Sequence, residues 1–261
     1  MKKLIILGIG ALFGACSQSS TEKEAHKTQH ELPEFVEQLN QHHQYAAFQS
    51  AGVFSADILL TFGGKQRLDA KMLYDTQTQE TALYHSDGKK LVFTQDTVWL
   101  SPDTASYPKA RFDIFTWSYF MALPHKLNDE GLHFKEFPHK ELEGKSYATQ
   151  HLSFSNEVGD APDDWYVLYQ DTTSGLLHAA AYIVTLNKDK ATAEQDPHAI
   201  VYKDYQLVDG IPISTRWEFY GWRKEKGLTQ KLGEASLSNL QFLKRSEALF
   251  QLPANKKEVK L

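Results

Sequence analysis

Residues 54–74, FSADILLTFGGKQRLDAKMLY, set the architecture. Phe54, Ala56, Ile58, Leu60 and Phe62 fall on every second position, with Ser55, Asp57 and Thr61 between them, which is the period of a strand with one buried face. Gly63-Gly64 supplies a two-residue turn, because glycine reaches positive φ without a Cβ clash. Beyond it Leu68, Ala70, Met72 and Tyr74 alternate with Arg67, Asp69 and Lys71. The two runs therefore predict an antiparallel hairpin with its apolar side chains on one side.

The same pattern extends outward. Short runs at 81–85, 90–94 and 97–100 follow, the first two separated by Asp87-Gly88. A second series occupies 146–155, 165–170, 177–186, 200–207, 213–222 and 230–242, punctuated by Thr173-Ser174-Gly175, Asp209-Gly210 and Lys226-Gly227. Connections this short enforce antiparallel neighbours, and about ten strands in succession predict a strongly curved antiparallel meander, an incomplete β-barrel. Two helices interrupt the β pattern. Residues 32–48 carry Pro33 at a helix-start position and Phe35, Val36, Leu39, Tyr45 and Ala46 at helical spacing, with Glu34, Gln38 and Gln41 on the polar side. Residues 111–123 hold Ile114, Phe115, Trp117, Tyr119, Phe120 and Met121, leaving little polar face, so this helix must cover something apolar. The expected fold is mainly β with helices: a curved sheet covered by an N-terminal helix and a mid-chain aromatic helix.

At the N-terminus, MKKLIILGIGALFGAC places Lys2 and Lys3 before an apolar run and small Gly14 and Ala15 before Cys16. The run is too short to span a bilayer, which takes about 20 residues. Phe13-Gly14-Ala15-Cys16 resembles the lipobox of bacterial lipoproteins, which implies that residues 1–15 are a signal peptide and that Cys16 carries a diacylglycerol thioether and an N-acyl chain. Cys16 is the sole cysteine, so an internal disulfide and a zinc-thiolate site are both excluded. Residues 16–31 are almost free of large apolar side chains and read as a lipidated, disordered tether. A single half-barrel domain is expected over 32–252, with 253–261 as a frayed C-terminus. With Lys2 and Lys3 removed, 26 of the 28 basic side chains face 33 acidic ones. That balance disfavours nucleic acid, which needs clustered Lys and Arg to neutralise phosphates.

The order of elements, with an inserted aromatic helix and a late pair reading Tyr202-Lys203-Asp204-Tyr205 then Val208-Asp209-Gly210-Ile211-Pro212, resembles an uncharacterised family of Bacteroidetes outer-membrane lipoproteins. That family is similar to the LolA/LolB-like lipoprotein-localisation superfamily. The resemblance implies an incomplete β-barrel closed by helices over an apolar cavity, a cell-envelope location at the outer membrane, and a lipid or lipoprotein acyl chain as partner. It brings no catalytic motif.

The residues give no sign of an enzyme or a cofactor. The 11 histidines include His42-His43, which point about 100° apart on a helix, and His125, His133 and His139, which have no ligand spacing, so surface histidines are expected rather than a metal site. Asp160, Asp163 and Asp164 form an acidic loop without the six to eight oxygens that calcium wants. Gly-x-Ser-x-Gly is missing, and Glu141 and Glu143 precede a turn glycine as a solvated corner. The positive signal is aromatic, with 15 Phe, 12 Tyr and 5 Trp, enough to line a cavity as well as fill a core. Alternation assigns Phe54, Ile58, Leu60, Met72, Trp99, Trp165, Tyr182, Trp217 and Phe219 to the cavity, and the mid-chain helix adds Phe112, Phe115 and Phe120 as a lid. Two functions fit: a membrane-anchored protein that binds an acyl chain or other apolar ligand, or an envelope interaction module with a filled core and protein partners.

Overall fold

A computed structural model describes residues 32–138 and 140–260. The leader, Cys16 and the tether lie outside the described residues.

Helix α1 (Glu34–His42) and helix α2 (Tyr45–Ser50) take the place of the single helix expected over 32–48. The break has a local cause. Gln44 adopts the left-handed conformation, and His43 turns into the core, where its Nε2 accepts the Leu177 amide at 2.9 Å. Val36, Leu39 and Phe48 are the buried anchors of the two helices.

The first strand series is β1 (Val53–Phe62), β2 (Lys65–Asp75), β3 (Thr81–His85), β4 (Lys90–Thr94) and β5 (Thr97–Ser101). Helix α3 (Ala110–Ala122) follows. The second series is β6 (Leu132–Glu136), β7 (Lys140–Leu142), β8 (Lys145–Phe154), β9 (Trp165–Gln170) and β10 (Leu177–Tyr182). After the one-turn helix α4 (Lys190–Ala193) it continues with β11 (His198–Val208), β12 (Ile211–Arg223) and β13 (Gly227–Leu243), and the chain ends near β14 (Lys257–Glu258). All pairings are antiparallel, in the order β14-β5-β4-β3-β2-β1-β13-β12-β11-β10-β9-β8-β6, with β7 beside β8. The sheet is thus two meanders joined where β1 pairs with β13, and its outer strands β14 and β6 do not meet. It is an incomplete barrel. Gly63 and Gly64 both have positive φ, as do Asp209 and Gly210, so the hairpins β1–β2 and β11–β12 close with mirror-image turns that match the twist of the strands.

The main core fills the concave side, where Phe54, Ile58, Leu60 and Met72 meet Trp217 and Phe219 beneath α3 and the α1–α2 pair. Helix α3 has no side-chain N-cap, and its apolar residues run all round it, so its own sequence does not orient it. Polar ties do. Asp113, fully buried, accepts from Arg67 Nη1 and Nη2 on β2 at 3.0 and 2.7 Å, from Trp117 Nε1 at 3.0 Å, and from the Tyr107 hydroxyl. Farther along, Tyr202 Oη on β11 donates to the Phe120 carbonyl at 2.9 Å.

The convex side carries two smaller clusters. One gathers Val167, Tyr169, Ala181, Val201 and Trp222 under β7 and the bent β12–β13 hairpin. The other lies under the C-terminal segment, where Phe250 packs on Val53, Leu73, Ala82 and Val92. Part of the 253–261 segment, expected to fray, is placed against the sheet. Lys257 and Glu258 pair with Leu100 and Trp99 of β5, Tyr84 Oη donates to the Leu249 carbonyl at 2.6 Å, and Ser101 Oγ meets Asn255 Oδ1 at 3.2 Å. Apolar Leu249, Phe250 and Leu252, spaced to dock on the sheet, supply the reason.

Removing one partner of a buried ion pair leaves the other charge uncompensated. Asp113→Ala is expected to lower unfolding stability by about 3–5 kcal/mol in urea titration. Replacing Arg67 by Met in the same chain should recover part of that loss, because the stranded charge is then gone.

Candidate functional site

A cavity of about 470 Å³ opens between α3 and the concave sheet. Its size falls in the range of small-molecule sites, about 300–1,000 Å³. Phe112, Phe115 and Tyr119 form the helix wall, Phe93 of β4 one flank, and Phe154, Tyr166 and Tyr182 of β8–β10 the other. These rings touch each other edge to face or tilted, with centroids 4.9 Å apart for Phe93 and Phe115, 5.5 Å for Tyr119 and Tyr166, and 5.0 Å for Phe120 and Tyr182. Such contacts hold the wall rigid around an open interior. Val184 and Leu186, just past the end of β10, complete the apolar surface.

The two cations of the lining are paired. Arg111 on the first turn of α3 binds Asp160 through Nε and Nη2 at 2.6 and 2.7 Å, and its Nη1 donates to the Val259 carbonyl at 3.1 Å. The same guanidinium thus joins the helix, the 155–164 loop and the C-terminal segment. Lys126 pairs with Asp129 at 2.6 Å and donates to Gln79 Oε1 at 2.6 Å. Asp164 is different. Its Oδ1 accepts both the amide and the hydroxyl of Thr185, at 2.7 and 2.8 Å, yet burial outweighs these bonds and pushes the carboxyl up to about 6. Tyr119, Tyr166 and Tyr182 are raised above the ordinary phenol range, in each case first by burial; the next cause is the Asp129 charge for Tyr119, the neighbouring Tyr119 for Tyr166 and the Asp164 charge for Tyr182. The Tyr119 hydroxyl is buried with no hydrogen-bond partner among the described residues.

Of the twelve cavity residues read from the sequence, Phe112, Phe115, Phe120 and Tyr182 line this space. Phe54, Ile58, Leu60, Met72, Trp217 and Phe219 belong to the packed core instead. Trp165 and Trp99 lie on the other side of the sheet. Trp165 packs against Trp222 in the convex cluster, and Trp99 takes the Lys256 ammonium over its ring at 5.3 Å. On β9 it is the alternate set, Tyr166 and Leu168, that faces inward. Tyr119, Tyr166, Asp164 and Arg111 were not among the residues read as the site. Tyr119 and Tyr166 were legible as aromatics, whereas the pairing of Arg111 with a loop 49 positions away was not.

His43 and His125 are also not surface groups. They are buried at the α1–α2 break, where His125 Nε2 donates to the His43 carbonyl at 2.9 Å and Phe48 stacks on the His125 ring at 3.8 Å. Burial lowers His125 to about 4, so it stays neutral at ordinary pH. Among the described residues no three His, Cys, Asp or Glu side chains are placed to hold a metal ion, and no helix is long and apolar enough to cross a membrane.

No protein-family model matches the chain, and no curated protein matches it by sequence. Solved structures do match its fold. A LolA superfamily protein from Nitrosomonas europaea aligns over 82% of this chain and 97% of its own, at 8% identity and a TM-score of 0.55. A DUF1329 family protein from Desulfovibrio piger aligns over 83% of this chain and 95% of its own, at 14% identity and a TM-score of 0.54. The fold is LolA-like: one large antiparallel sheet, curved but not closed, with helices over its concave side.

Asp164 provides a pH-dependent check on the cavity. A carboxyl whose folded pKa lies near 6, above its ordinary 3.8, makes the folded state bind more protons, so its contribution to stability is best at low pH and declines as pH rises through 6. Asp164→Asn keeps the Oδ1 acceptor and removes this ionisation. The variant is expected to exceed the parent chain by about 1–3 kcal/mol in denaturant unfolding at pH 7.5, with the gap closing by pH 4.

Proposed function

We propose that this chain is a lipid-anchored protein of the bacterial cell envelope, at the outer membrane, that holds an acyl chain or similar apolar ligand between α3 and the sheet. The observation that carries the reading is the cavity itself: about 470 Å³ lined by rings from both meanders and from α3, in a molecule whose other large side chains fill the core. A protein built to pack solid could close this gap with a few larger side chains, since interiors elsewhere are close-packed. The LolA-like fold is consistent with the same use, because that superfamily resembles this chain in placing helices over a half-barrel. Anchoring rests on the Lys2-Lys3, apolar run and Cys16 pattern. Acyl chains on Cys16 would hold the body at a membrane without a spanning helix, each buried methylene contributing about 0.8 kcal/mol. The reading is one of binding without catalysis, and an interaction module with a filled core is disfavoured by the open interior.

Cys16→Ser, which cannot be acylated, tests both halves in one preparation. The variant should leave the membrane fraction, and solvent extraction of the purified chain followed by mass spectrometry should recover a co-purified lipid. Retention in membranes contradicts the anchor. An empty extract, from a chain whose cavity also fails to take up a dodecyl probe, contradicts the ligand.

A further inference from the structure

The cavity is apolar along most of its wall but polar at one place, and the polar groups there have a definite chemistry. Asp164 lines the cavity with Val184, Leu186 and Tyr166, and both Thr185 donors are spent on its Oδ1, so that Oδ2 has no protein donor among the described residues. Tyr166 and Tyr182 stack beside it with centroids 6.0 Å apart, and Tyr119 lies 5.5 Å from Tyr166. Tyr202 and Tyr205, by contrast, spend their hydroxyls on the Phe120 and Leu177 carbonyls. The cations of the lining are occupied, Arg111 by Asp160 and Lys126 by Asp129, and Asp96 adds a further negative charge. An anionic head would therefore meet like charge and find no free cation among the described residues of the lining. A buried ammonium needs several acceptors, and Asp164 offers one open oxygen. A hydroxyl or amide suits the set, donating to Asp164 and accepting from a tyrosine.

We propose that the ligand has an uncharged, hydrogen-bond-donating head, seated at Asp164, Tyr166 and Tyr182, with its chain running along Phe112 and Phe115. This rests on the ligand-binding function above and specifies which amphiphiles satisfy it. The half-buried carboxyl of Asp164 is then the group that reads the head.

The experiment is calorimetric titration of the Cys16→Ser chain at pH 7.5 with submicellar monolaurin, laurate and dodecylamine, which share a chain length and differ in head charge. Monolaurin should bind at least tenfold more tightly than laurate and more tightly than dodecylamine. Asp164→Asn should narrow the monolaurin-to-laurate ratio to within about threefold. Tyr182→Phe, which keeps the ring and loses one hydroxyl, should weaken monolaurin by roughly fivefold. Equal binding of all three, tighter binding of laurate or dodecylamine, or an unchanged ratio in Asp164→Asn overturns the head-group assignment and leaves the apolar cavity standing. If none of the three binds, the ligand-binding function itself falls, and this assignment with it.

Discussion

The buried contact between Arg67 and Asp113 is what the arrangement above the sheet depends on. Helix α3 is apolar on every side, and hydrophobic burial is non-directional, so burial alone would accept many rotations and offsets of such a helix. A carboxylate with no exposure, gripped in a fork by one guanidinium and supported by Tyr107 and Trp117, admits few. Specifying position rather than adding net stability is the role that buried ion pairs fill best. With Asp113 fixed to Arg67 on β2 and the Phe120 carbonyl fixed to Tyr202 on β11, α3 spans the join between the two meanders.

The cavity follows from that span. The concave surface of so long an open sheet is larger than one thirteen-residue helix and two short ones can cover. On the β1, β2, β12 and β13 side the space is filled by Phe54, Met72, Trp217 and Phe219. Toward β8–β10 the helix touches the sheet through Tyr119 on Tyr166 and Phe120 on Tyr182, and the space left beside these contacts is lined by Phe112, Phe115 and Phe154. Arg111 and Asp160 then close one end by tying the helix to a loop and, through Val259, to the C-terminal segment.

Most of the strands could be read from alternation, and so could the aromatic helix, because a half-buried strand and an all-apolar helix leave distinct periods in the chain. The inward face of β9 could not. In Trp165–Gln170 both faces are covered, one by the main core and the other by the convex cluster, so Trp165 and Tyr166 are equally apolar choices and periodicity carries no sign. Trp99 was misplaced because the C-terminal segment covers the outside of β5, which local sequence does not announce. The break at His43 depends on an amide 134 positions away, and the Arg67–Asp113 tie on a contact across 46. Asp164 reads in the sequence as one member of an acidic loop, and its environment exists only once Thr185 is folded against it. Long-range polar contacts of this kind set the site, and no window of sequence contains them.

What the account claims most centrally is that the space beside α3 is a ligand site rather than a packing defect. A crystal of the Cys16→Ser chain grown with 12-bromododecanol would locate the chain by the anomalous signal of its bromine. The account predicts one ordered bromine within the cavity, against Phe112, Phe115 or Phe154, with the hydroxyl end toward Asp164. Bromine found at the surface alone, with the cavity collapsed or filled by rotated side chains, would contradict it.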